Sequence, residues 1–175
     1  ATTNLNITVN AVNDTPVWAN EISTQFISED CDSSDIGCLG FPLDLNPYIS
    51  DVDGDVLTIT PSIVEGATFT VEAGILSIDP DLNFNGILDL ELSASDGTDS
   101  ATTNLNITVN AVNDTPVWTE IPNQTIEEDC TECTGFPLDL NPYISDVDGD
   151  VLTITPSIVE GATFTVEAGI LSIDP

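Results

Sequence analysis

The run Asp51-Val52-Asp53-Gly54-Asp55 places three carboxylates at alternate positions around a glycine, and Asp146-Val147-Asp148-Gly149-Asp150 repeats it. Acids at this spacing on a tight loop suit a hard cation that takes about six to eight oxygens, as Ca²⁺ does. Mg²⁺ would want fewer protein ligands and a stricter octahedron. The loop is not an EF-hand, because its glycine stands fourth rather than sixth and no glutamate follows at the twelfth position. Paired acids could also serve glycoside hydrolysis. Cys31/Cys38 and Cys130/Cys133 form a second set of reactive side chains, in acidic, glycine-flanked stretches. A redox CxxC needs a helix N-terminus and a zinc site needs two more ligands. With neither in view, two local structural disulfides are the favoured reading, and they point to an oxidising, extracellular setting.

What surrounds these acids sharpens the question. The 175 residues include 31 Asp and Glu and no Lys, Arg or His, for a formal net charge of −31. No carboxylate can find a cationic side chain. Two like charges 4 Å apart repel by about 1 kcal/mol in water and about 4 kcal/mol at an effective dielectric of 20. Clustered acids therefore oppose folding unless bound cations or high salt offset them. Nucleic acid and anionic membrane surfaces are excluded as partners, since both are recognised through Lys and Arg. Acidic chains are often disordered, yet 41% of these residues are hydrophobic and β-branched types abound. Such a chain can bury a core. No apolar run approaches the ~20 residues of a membrane span.

Residues 1–18 recur unchanged at 101–118, and residues 41–80 recur unchanged at 136–175. A period of this size matches a whole β-sandwich domain rather than a helical solenoid repeat. Seven short strands are predicted within one period: Ile22–Ile27, Phe41–Leu45, Val56–Thr60, Thr68–Glu72, Ile75–Ile78, Ile87–Ser93 and Thr102–Val109. The runs VLTIT, TFTVE, ILDLELS and LNITV alternate apolar and polar residues, as half-buried strands do. Ala73-Gly74, Asn85-Gly86 and Asp96-Gly97 supply the turns. The predicted fold is all-β: tandem Ig-like, seven-stranded β-sandwich domains. Asn-Asp-Thr-Pro, at 13–16 and 113–116, is a short, stiff joint. Residues 1–13 then read as the last strand of a preceding repeat, 14–113 as a complete domain, and 114–175 as part of the next. The first residue falls inside a strand-like run, as in a stretch cut from a longer chain.

Strand parity sorts the acids. In an antiparallel sandwich, Asp51, Asp53, Asp55 and Asp96 fall at the entry pole, beside Asn13 and Asp14. Glu29, Asp79 and Asp81 fall at the exit pole, beside Asn113 and Asp114, and the next repeat brings Asp146, Asp148 and Asp150 there. Glu128 is the counterpart of Glu29. All of these are candidate Ca²⁺ ligands. Trp18 and Trp118, one at each domain start, are expected to pack at the domain end rather than to stack on sugars.

The segments VNAVNDTPVW, ISEDC and IEEDC, SDVDGDVLTIT, DPDLNFNG and SASDG resemble the cadherin-like Ig domains of large bacterial and archaeal repeat adhesins and surface proteins. They span nearly the whole repeat. The resemblance implies interdomain Ca²⁺, with ligand roles for Glu29, Asp51, Asp53, Asp96, Asn113, Asp114, Asp146 and Asp148. The cysteine-bearing loops depart from that pattern. An extracellular, cell-surface stalk or adhesive segment is the expected function, with neighbouring repeats as partners. Identical chains in a fibre, joined laterally or by strand exchange, are the alternative. No enzymatic activity is expected, because the acids sit at joints and the chain has only two Trp.

Overall fold

The computed structural model describes residues 2–31, 41–128, 130, 133–158 and 160–174. Two compact units divide the chain, Ala1–Val112 and Asn113–Pro175.

The first unit is an all-β sandwich. Its strands are β1 (Val17–Trp18), β2 (Gln25–Ser28), β3 (Leu43–Asp44), β4 (Ile49–Ser50), β5 (Thr58–Pro61), β6 (Ala67–Glu72), β7 (Ile75–Pro80), β8 (Gly86–Ser95) and β9 (Ser100–Asn110). One layer has the order β2-β9-β8-β5 and the other β3-β7-β6, while β1 and β4 form a small separate pair. The alternation in β8 explains the layering: Leu88, Leu90, Leu92 and Ala94 are buried while Asp89 and Glu91 are exposed. Across the ladder, Leu105, Ile107 and Val109 of β9 point the same way. They meet Leu45, Leu76 and Ile78 from the other layer in one core, with Trp18, Phe69 and Phe84 packed at its margin. Each such aliphatic side chain contributes about 1.5–3 kcal/mol by leaving water.

All seven predicted strands are present, with three adjustments. The first begins at Gln25 rather than Ile22 and pairs parallel to β9 from Gln25↔Ile107 to Ser28↔Asn110, while β1, which pairs with β4, lies ahead of the predicted range. The third begins at Thr58 rather than Val56, which is 89% exposed. In the second, only Leu43–Asp44 pairs. The stretch after it makes a 3-10 turn at Asn46–Tyr48 before β4.

In the second unit, part of the repeated sequence rebuilds the same strands. Strands β10 (Val117–Trp118) and β12 (Ile144–Ser145) pair as β1 and β4 do, while β11 (Leu138–Asp139), β14 (Ile170–Asp174) and β13 (Thr163–Glu167) form a three-stranded sheet. The second VLTIT, residues 151–155, has no strand, and the described residues of this unit hold no counterpart of β8 to pair with it. The first copy of the β9 sequence behaves likewise. Leu5 is 82% exposed in a stretch with no ladder, whereas Leu105, the same residue of the same motif, is fully buried. Period-two patterning makes a strand only where a neighbour accepts its hydrogen bonds.

Candidate metal centre

Two loops of the first unit, with the segment that precedes β1, build the entry pole. Oδ1 of Asp51 accepts the backbone N–H groups of Asp53 (2.9 Å), Gly54 (3.1 Å) and Asp55 (3.4 Å), winding the loop around one carboxylate. Gly54 adopts φ +79°, a left-handed conformation that a side chain would oppose. The winding brings one oxygen each of Asp51, Asp53 and Asp55 within 4.8 Å of one another. Oδ2 of Asp51 is buried and has no hydrogen-bond partner among the described residues. A buried charged oxygen without a donor is costly, and here no cationic side chain exists to meet it.

The segment entering β1 crosses this loop. Asp14 N–H donates to Asp53 Oδ2 at 2.8 Å. Asn13 Nδ2 donates to Asp96 Oδ2 at 3.1 Å and to Asp99 Oδ2 at 3.2 Å, drawing in the turn between β8 and β9. Asp96 Oδ1 accepts the N–H groups of Asp99 and Thr98, which hold its carboxyl below the ordinary range; desolvation opposes them and Asn13 assists. Trp18 caps this end of the core, its indole N–H donating to Ala101 O at 3.2 Å. Asn13, Asp14, Asp51, Asp53, Asp55 and Asp96 are thus assembled in one place. Asp99 joins them and is not among the residues read from sequence, although the Asp-x-x-Asp spacing of a tight turn is a usable signal.

Toward the exit, Glu29 is 3% exposed and is the buried charged residue of the described chain. Val112 N–H donates to Oε1 at 2.7 Å and Asn85 Nδ2 to Oε2 at 3.0 Å. In that order they hold its carboxyl below the ordinary range, against desolvation. Glu29 N–H also donates to Asn110 O, so this residue helps to fasten the end of β9. Asp79 and Asp81 are exposed, and neither enters an acidic group of three among the described residues. Asp79 lies in β7 opposite Thr68, and the Asp81 N–H is spent on Gly66 O. Asn85 escapes a reading from sequence because an amide before a glycine looks like turn chemistry alone.

The second unit repeats the entry loop. Asp148 N–H donates to Asp146 Oδ1, Asp114 N–H donates to Asp148 Oδ2 at 2.6 Å, and Asn113 Nδ2 donates to Asp114 O. Asp146, Asp148 and Asp150 again bring three oxygens within 4.8 Å. Glu128 is exposed, unlike Glu29. Cys130 and Cys133 form a disulfide, and Cys31 is disulfide-bonded as well; Cys38 lies outside the described residues.

These centres hold carboxylate and amide oxygens with no imidazole, a donor set for a hard divalent cation. The loops and strands also resemble part of two solved endo-fucoidan hydrolase structures of glycoside hydrolase family 107. One, a variant, matches at 25% identity with a TM-score of 0.46, over 90% of this chain and 23% of that one. The other matches at 22% identity with a TM-score of 0.42, over 94% and 24%. The chain therefore spans about a quarter of the length of those proteins. No protein with a curated description matches. Residues 12–110, more than half of the sequence, match the cadherin-like domain, and the chain belongs to that family.

Proposed function

We propose that this chain is a segment of an extracellular, cell-surface stalk or adhesive fibre whose repeats are stiffened by Ca²⁺ at their joints. Asp51 carries the reading: its buried, unpartnered Oδ2 stands among three carboxylates in a protein without one cationic side chain. Asn13, Asp14, Asp51, Asp53, Asp55 and Asp96 would hold the ion at the entry pole, with Asp99 beside them. Asn113, Asp114, Asp146, Asp148 and Asp150 are their counterparts in the next repeat. Glu29 belongs to the exit side, and Glu128, Asp79 and Asp81 are weaker contributors. When bound, the ion supplies the positive charge that the sequence lacks. Neighbouring repeats are the partners, and turnover of a substrate is no part of this reading.

Calorimetric titration with Ca²⁺, paired with small-angle scattering of a chain with two complete repeats, tests it. Calcium should give a rod whose length grows with repeat number, and EGTA a shorter, flexible ensemble. Identical profiles would remove calcium and leave salt screening to explain the acidity.

Exposure of Leu5, Ile7 and Val9, whose copies Leu105, Ile107 and Val109 are buried, favours a role for residues 1–13 as the last strand of another sandwich. A preceding repeat is the simpler recipient, and a second chain would turn the same pairing into a filament. Concentration-dependent assembly in ultracentrifugation distinguishes the two.

A further inference from the structure

We propose that Asn85 is a positioning residue. Its amide fixes the Glu29 carboxylate in one orientation, and thereby sets the path of the chain at Val112 and the affinity of the calcium centre to which Glu29 contributes. The affinity half rests on the calcium reading above.

The loop before β8 is built as a mount for this amide. Asp81 N–H donates to Gly66 O, and Phe84 N–H turns back to Asp81 O at 3.0 Å. Asn83 takes a left-handed φ of +58° to make that turn. The Phe84 ring packs against the core in space that only a glycine at 66 leaves open, since a Cβ there would run into the ring. With residue 84 seated, Asn85 is placed over Glu29, and Gly86 at φ +145° releases the chain into β8. Asn85 is itself exposed, so core packing does not explain its contact. What it meets is a buried carboxylate in a protein with no cation to offer. A neutral amide N–H supplies the donor that a cation would otherwise supply. Removing it leaves Oε2 without its donor and lets the carboxylate turn away from Val112. Outer partners that orient a ligand typically change metal affinity by about 10–100-fold when lost.

The test uses the full chain as wild type, Asn85→Ala and Asn85→Asp. In EGTA, Asn85→Ala should speed hydrogen exchange at the Val112 amide, with the core amides of Leu90 and Leu105 unchanged. Asn85→Asp, which sets one carboxylate against another, should speed it further. Calcium affinity should fall about tenfold in Asn85→Ala, and the same change should cost nothing further in a Glu29→Gln background. Unchanged Val112 exchange in both variants overturns the positioning role. Faster exchange with an unchanged calcium Kd overturns the affinity half. A wild-type chain that binds no calcium, while Asn85→Ala still frees Val112, sinks the calcium reading and leaves the clamp standing.

Discussion

The backbone N–H of Asp14 donates to Oδ2 of Asp53 at 2.8 Å, and so ties the segment entering the sandwich to the loop that carries three of its acids. That bond belongs to a wider pattern. Main-chain N–H groups wind Asp51 and Asp96, and asparagine amides meet Asp96, Asp99 and Glu29. Where other proteins would set a guanidinium or ammonium, this one uses neutral donors. They orient a carboxylate without cancelling its charge.

Asp51→Asn and Asp53→Asn should therefore separate binding from folding. An amide oxygen at position 51 can still accept the three N–H bonds of its loop, while the amide nitrogen would face the neighbouring acids. Calcium affinity should fall at least tenfold for the pair, about the loss expected when ligand charge is removed, and stability in EGTA should hold or rise. Calorimetry and urea denaturation measure the two sides. A hydrolase activity lost with these substitutions would overturn the structural role.

The Glu29 carboxyl is held below its ordinary value of 4.5 in the folded chain by Val112 N–H and then by Asn85. A depressed carboxyl contributes stability that is present above the unfolded pKa and is lost as pH falls through the lower folded value. Relief of repulsion among the remaining acids runs the other way, so the comparison must be internal. In EGTA, the advantage of wild type over Glu29→Gln should be constant near neutral pH and shrink as pH falls below about 4.5. A gap that stays constant down to the folded value would show that the carboxylate form is not what the site holds.

Gly66→Ala should destabilise the first unit by about 1–3 kcal/mol, because φ is +101° and a Cβ would meet the Phe84 ring. Because Phe84 seats Asn85, the Val112 amide should exchange faster as well. Thermal unfolding and hydrogen exchange report the two effects.

Non-reducing mass spectrometry should find Cys130 linked to Cys133, and Cys31 linked to Cys38. Both rings are small, so reduction should cost no more than about 2 kcal/mol each. Four free thiols in protein kept from reductant would sink the assignment.

The strands legible in the sequence are those with a buried and an exposed face. Leu88-Asp89-Leu90-Glu91-Leu92 announces itself, because each side chain's fate is set by parity alone. Val17–Trp18 and Ile49–Ser50 are too short to have a period, and their pairing joins segments far apart in sequence. Val56 reads like the first residue of its strand but lies outside the ladder. The entry-pole acids can be gathered by parity because they come from loops whose ends are fixed by the strands beside them. For Asp79 and Asp81, parity gives the end of the strand but says nothing of where a loop then points. Asn85 donates to one acid, and Asp99 accepts from an amide that also serves Asp96, roles visible only once distances are known.

Strands β2 and β9 lie side by side and run the same way from Gln25↔Ile107 to Ser28↔Asn110. The chain enters this sandwich ahead of β2 and leaves it after β9. Tension along the chain therefore pulls the two strands lengthwise past each other, and all four paired positions resist together. A hairpin such as β8–β9, drawn apart at its open end, would instead yield one rung at a time. Loaded lengthwise, this pair is a lap joint rather than a zip.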